Sequence, residues 1–191
     1  MRMPFVVFVG ASAGGLEAVR QLLAEMPKLA GPPLVVVQHI APQARTDLAM
    51  VYGESFHGKV LEATDKMMLE PGRAYFAPPG YHLLVEGDLG LALSTDDPVH
   101  FSRPSIDVLF ESAAVLGSRA VGVLLTGANQ DGAAGLKAIS EAGGTTMVQD
   151  PATAVASAMP LAALELFTPD FVGTVAEIGQ RICDLTHGEE S

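Results

Sequence analysis

Apolar residues in this chain alternate between short solid blocks and helical stripes. Phe5–Val9 is an unbroken apolar run, the pattern of a strand covered on both faces. Directly after it, Leu16, Val19, Leu22 and Leu23 recur at the three-and-four spacing of an amphipathic helix. Leu34–Val37 is a second buried strand, closed by Gln38 and His39. Asp47 to about Ser55 predicts a weaker helix, and Lys59–Glu62 a short strand.

The middle of the chain changes rhythm. Ala74–Ala77, His82–Glu86 and Leu89–Ser94 predict short strands, with Pro78, Pro79 and Gly80 after the first and Gly87 with Asp88 between the others. The second pair reads as a hairpin. Together the three predict an antiparallel insert near residues 74–94. Ser105 to about Leu116 predicts a helix with Ile106, Leu109, Phe110 and Ala113 on one face. Val121–Leu125 is a third buried strand. Asp131 to Ala142 predicts a helix ended by Gly143 and Gly144. Thr145–Val148 predicts a strand, Met159 to about Phe167 a helix, Phe171–Val175 a last short strand, and Glu177 the start of a final helix. Repeated strand–helix alternation predicts an α/β fold: a doubly wound, mostly parallel sheet flanked by helices. No stretch has linker composition, so residues 1–191 are expected to form a single domain, with His187 to Ser191 as a loose tail.

Composition narrows the function. The 191 residues are 49% apolar and 17% charged, enough for one real core; a chain of this size buries roughly 70% of its unfolded surface. The formal net charge is −11, and no Lys/Arg cluster offers the positive stripe that nucleic acid requires. Cys183 is the one cysteine, so no internal disulfide forms, no Cys/His metal spacing exists, and a reducing cytoplasm fits. Every apolar run is strand-sized, too short for membrane insertion. No metal and no cofactor are expected.

In a parallel sheet, ligands bind beyond the carboxyl ends of the strands. Ser12 follows the first predicted strand, His39 closes the second, and Asp131 comes after Val121–Leu125 through T-G-A-N-Q. A serine, a base to take its proton and a carboxylate to orient that base are the parts of nucleophilic acyl transfer. Gly14 and Gly15 let a substrate approach the helix start, where N–H groups lack partners. Each residue also has an ordinary use: Ser12 as a helix cap, His39 as a satisfied rim histidine, Asp131 as the cap of its own helix. G-A-S-A-G-G nearly matches a dinucleotide fingerprint, but Ser12 replaces the glycine that admits the pyrophosphate, and no acid closes the second strand. G-A-S-A-G also matches a nucleophile elbow, but the order Ser, His, Asp is not that of the α/β-hydrolases.

With these residues collected, the sequence resembles the catalytic domain of the CheB family of chemotaxis receptor protein-glutamate methylesterases. The likeness rests on G-A-S-A-G-G-L-E-A (10–18), Gln38 with His39, A-P-P-G-Y-H-L (77–83), R-P-S-I-D (103–107), L-T-G-A-N-Q-D-G-A-A-G-L (125–136), Q-D-P-A-T-A (149–154), and Met159 with Pro160. It implies a cytoplasmic serine hydrolase that removes methyl groups from γ-glutamyl methyl esters on chemoreceptor cytoplasmic helices, releasing methanol; some members also deamidate receptor glutamines. It implies Ser12 as nucleophile, His39 as general base and Asp131 as orienter, with Ala13, Gly14 and Ala128 beside the substrate and oxyanion. The alternatives are a non-catalytic regulatory or scaffolding module of the same fold, and a hydrolase for another ester or amide.

Three departures from the family pattern stand out. The usual N-terminal receiver domain has no counterpart in these residues, so either control by phosphorylation in cis is absent or the chain is a fragment. Ala128 and Asn129 replace the usual Met and Gly of the aspartate segment. A-P-Q-A-R-T-D-L (41–48) keeps only a loose likeness; Arg45 there, with Arg103, is a candidate for a local basic groove. His57, His82, His100 and His187 read as structural or solvated residues, Arg103 and Asp107 as a pair or cap at a helix start, Asp150 as a loop cap, and Met67 with Met68 as packing.

Overall fold

The computed structural model describes residues 5–27, 31–39 and 47–187. Strand β1 (Val6–Ala11) runs into helix α1 (Gly15–Glu25), and β2 (Leu34–Gln38) follows. After the short α2 (Leu48–Tyr52) come β3 (Lys59–Glu62), β4 (Arg73–Phe76), and a hairpin of β5 (His82–Val85) and β6 (Leu91–Ser94). Then follow α3 (Ile106–Ala113), β7 (Ala120–Leu124), α4 (Ala133–Glu141), β8 (Thr145–Gln149), α5 (Ala158–Leu166), β9 (Phe171–Gly173) and α6 (Val175–His187).

Seven strands form one sheet in the order β3-β4-β2-β1-β7-β8-β9. Every pairing in it is parallel. The strands are apolar throughout because both faces are covered. Along β1, Val6 and Phe8 face a core with Leu109 and Phe110 of α3, Leu136 and Ile139 of α4, and Met159 of α5. Val7, Val9 and Ala11 face the other core, with Val19, Leu22 and Leu23 of α1, Tyr52 of α2 and Ile178 of α6. The period of two along one strand thus feeds two separate helix layers.

The doubly wound architecture read from the sequence is the observed one, with two local corrections. The first strand of the expected 74–94 insert is β4, a parallel member of the main sheet paired with β2 and β3. Among the strands of the described residues, β5 and β6 are the antiparallel pair, with Leu83 opposite Leu93 and Val85 opposite Leu91. This hairpin packs on α3, whose Ser112 Oγ accepts the Val85 N–H at 3.0 Å. His187, expected in a loose tail, ends helix α6; residues 188–191 lie outside the described residues, as do 40–46, including Arg45. Among the described residues, no helix is long and apolar enough to cross a membrane.

Candidate active site

Strand order reverses direction between β1 and its neighbours β2 and β7, which makes the carboxyl end of β1 the crevice of this sheet. Ser12 sits there, one residue beyond β1. Its N–H donates to Thr126 O at 2.9 Å, and its carbonyl accepts the Gly15 N–H at 2.8 Å. Thr126 Oγ1 also donates to Ala13 O at 2.8 Å and accepts from Ala156 N–H at 2.9 Å. The turn after β1 is therefore stitched to the loop after β7. Gly14 completes it with φ +78°, and a Cβ there would lie 2.6 Å from Val155 Cβ, so this position takes glycine. Ser12 caps no helix: the N-cap of α1 is Gly14, without a side-chain bond.

His39 follows β2, its N–H bonded to Ala11 O at 3.0 Å. Its Nδ1 lies 3.2 Å from Ser12 Oγ, and its Nε2 lies 2.8 Å from Asp131 Oδ2. An ionised carboxylate only accepts, so the neutral ring carries its proton on Nε2 and turns the Nδ1 lone pair to the serine hydroxyl. In the serine proteases it is Nε2 that faces the serine; here the ring is engaged from the other side. The three residues on one predicted rim are thus brought into one hydrogen-bonded line.

For Asp131 the ordinary use as a cap of the following helix is not observed: the N-cap there is Gly132, with no side-chain bond. Asp131 caps α3 instead. Oδ1 accepts from Ser105 Oγ at 2.8 Å and Asp107 N–H at 2.9 Å; Oδ2 accepts from Ile106 N–H at 2.8 Å and from His39. The side chain is fully buried. Burial pushes the Asp131 carboxyl up, but the bonds from His39, Asp107, Ile106 and Ser105 outweigh it and hold its pKa below the ordinary carboxylate value. The positive end of α3 favours the same charge.

Two expectations follow. A buried hydrogen bond to a charged group is worth about 1.5–3 kcal/mol, so Ser105→Ala is expected to lower the unfolding free energy by about that amount, read from urea denaturation. With a depressed folded pKa, Asp131 stabilises the fold above the unfolded carboxyl value of about 3.9. That contribution is lost as pH falls through the lower folded value. The stability gap between wild type and Asp131→Asn is expected to be widest near neutrality and to close below about pH 4, measured by unfolding at a series of pH values.

Behind Asp131 stands a second histidine–carboxylate pair. His100 Nε2 lies 3.1 Å from Asp107 Oδ2, and Asp107 Oδ1 accepts the Gly135 N–H at 2.7 Å. Burial pushes the Asp107 carboxyl up and the Asp131 charge adds to it, while Gly135 and His100 pull the other way. His100, Asp107 and Asp131 bring ligand-type atoms within 4.8 Å of one another. All four carboxylate oxygens already accept from N–H or O–H donors, so the cluster is a hydrogen-bond network. Arg103 and Asp107 do not pair with each other: Arg103 Nη1 donates to the carbonyls of Thr95 and Asp96. Asp150 does cap its loop, accepting the Ala152 N–H at 2.9 Å.

Among the described residues the N–H groups of Ala13 and Gly14 have no acceptor. Ala128, exposed, is two residues beyond the Thr126 carbonyl that holds Ser12. Asn129, a departure from the family pattern, has a local use: its Oδ1 accepts the Asp131 N–H at 3.2 Å. Sequence reasoning missed Ser105, Thr126 and the role of Gln38. Gln38 Oε1 accepts from the Tyr52 hydroxyl. Tyr52 stacks on Phe76 at 4.8 Å, and burial pushes its own pKa up to about 12.

A parallel sheet whose carboxyl edge carries serine, histidine and aspartate in one hydrogen-bonded line is an arrangement of hydrolytic enzymes. The chain belongs to the CheB methylesterase family, whose sequence model matches residues 7–182. It is 43% identical over 175 residues to a Leptospira interrogans protein, covering 91% of each; that protein is provisionally named a protein-glutamate methylesterase/protein-glutamine glutaminase. Proteins of Caulobacter vibrioides and Bordetella pertussis that carry those two activities in their names are 41% and 40% identical, over 94% and 95% of this chain. The chain spans 53% and 55% of their lengths. The crystal structure of the Thermotoga maritima CheB methylesterase catalytic domain superimposes with a TM-score of 0.90 at 30% identity, covering 96% of this chain and all of that one.

Proposed function

We propose that this chain is a cytoplasmic serine hydrolase, one domain over residues 1–191, that demethylates γ-glutamyl methyl esters on the cytoplasmic helices of chemoreceptors. The observation that carries this reading is His39 hydrogen-bonded to Ser12 on one side and Asp131 on the other. Ser12 Oγ attacks the ester carbonyl while its proton passes to His39 Nδ1. The Asp131 carboxylate stabilises the imidazolium through Nε2–H. The Ala13 and Gly14 N–H groups, with the loop at Ala128, face the developing oxyanion. Methanol leaves with the proton from His39, and a γ-glutamyl ester remains on Ser12. Water, deprotonated by the same Nδ1, attacks that ester and frees the glutamate. A receptor glutamine enters the same path with ammonia as leaving group.

The reading is tested by mass spectrometry of receptor peptides after incubation with the protein. Conversion of methyl ester to acid at defined glutamates supports it. Unchanged receptor peptides beside rapid turnover of a small ester would place the substrate elsewhere. Silence on both would favour a non-catalytic module.

A further inference from the structure

Near the carboxylate end of the catalytic line, the chain makes a turn that its own residues disfavour. Val99 and Ser102 exchange both backbone hydrogen bonds, at 3.1 and 2.8 Å. The two residues between them, His100 and Phe101, both have positive φ, 49° and 61°. A tight turn of this hand selects Asn-Gly or Gly-Gly, because a Cβ in the left-handed region crowds the following carbonyl. A bulky aromatic residue there is an outlier. Such strain persists only where the surroundings over-determine it, and it concentrates at sites with a task.

The surroundings here are well defined. His100 bonds to Asp107, whose N–H donates to Asp131. Arg103 ties down the Thr95 and Asp96 carbonyls. His82, buried, donates from Nε2 to Asp97 O at 3.0 Å and accepts the Ser105 N–H at 3.1 Å. These bonds hold His100 and the segments on either side of the turn, and none involves the Phe101 ring, which is 104% exposed. A lone exposed apolar side chain needs no explanation. One raised on a strained turn, two hydrogen bonds from the carboxylate of the catalytic line, does.

Resting on the function proposed above, we infer that Phe101 is a substrate-positioning residue: its ring packs against an apolar side chain of the receptor helix that carries the esterified glutamate. The segment that carries the esters also carries the glutamates freed from them, and at a net −11 the protein offers such carboxylates no long-range attraction, so apolar contact has to supply affinity. On the His100 side of the turn a hollow of about 340 Å³ opens, with Ala133, Ala134, Ala162 and the half-exposed Leu166 as its apolar wall. It offers a place for a second apolar side chain of the same helix.

The test compares wild type, Phe101→Gly and Phe101→Tyr on a methylated receptor cytoplasmic fragment and on a small soluble methyl ester. Glycine takes φ 61° without strain, so Tm is expected not to fall. The ratio of receptor to small-ester kcat/KM is expected to drop about tenfold for Phe101→Gly, the loss of one partly buried aromatic contact. The drop falls mainly on KM, and tyrosine restores it. Equal losses on both esters with a lowered Tm would mark a purely structural turn and overturn the assignment. An active wild type and an equally active Phe101→Gly on the receptor would overturn the assignment alone. Wild-type silence on the receptor would overturn the functional reading and this assignment with it.

Discussion

Ser12→Ala is expected to lower kcat for methanol release by about 10⁶-fold, the scale seen when a triad serine is removed from subtilisin, without lowering Tm. Both halves of this expectation come from how Ser12 is held. Its backbone makes the structural bonds, to Thr126 O and from Gly15 N, and alanine keeps them. Its Oγ has His39 Nδ1 as hydrogen-bond partner among the described residues. Removing the hydroxyl removes the attacking atom and leaves the turn intact. Single-turnover kinetics beside thermal denaturation would read the two halves separately. A large fall in Tm with a small fall in kcat would contradict the assignment of Ser12 as nucleophile.

Asp131→Asn is expected to differ in kind, because this carboxylate serves the catalytic line and the fold together. Losing the corresponding carboxylate in a serine protease lowers kcat about 10⁴-fold by fixing the wrong imidazole tautomer. The same logic applies here with the ring nitrogens exchanged. An amide NH₂ facing His39 would leave Nε2 as acceptor and put the proton on Nδ1, where Ser12 needs a lone pair. Turning the amide does not help. Oδ1 and Oδ2 each accept a backbone N–H, from Asp107 and Ile106, and one of these donors must then face the NH₂ group. An unsatisfied buried donor costs about 1–3 kcal/mol, so Tm is expected to fall by about 2–12 °C for a chain of this size. Activity and stability should therefore fall together in Asp131→Asn and part company in Ser12→Ala.

The parts of the fold set by local pattern were legible in the sequence. Phe5–Val9 and Leu34–Val37 are apolar without alternation because both their faces are covered, and this places Ser12 and His39 at strand ends. Glycine punctuation gave the hairpin of β5 and β6. Pairing between distant segments left no such signal. Residues 74–77 read as the first strand of an antiparallel insert, and only contact with β2 and β3 makes this segment a parallel strand. Asp131 sits before a helix and looks like its cap, but its partners Ser105, Ile106 and Asp107 lie 24 to 26 residues away. No periodicity encodes a contact of that kind. Thr126 stayed hidden for the same reason: its hydroxyl joins Ala13 and Ala156 across separate loops. The strained turn at His100 and Phe101 was invisible because nothing in its composition announces positive φ.

The most direct measurement is release of labelled methanol from a receptor cytoplasmic fragment carrying labelled γ-glutamyl methyl esters, with wild type and Ser12→Ala side by side. The account expects steady release by the wild type and none above background by the variant. Equal release by both would remove Ser12 from the chemistry. No release by a folded wild type that still hydrolyses a small ester through Ser12 would contradict the receptor as substrate.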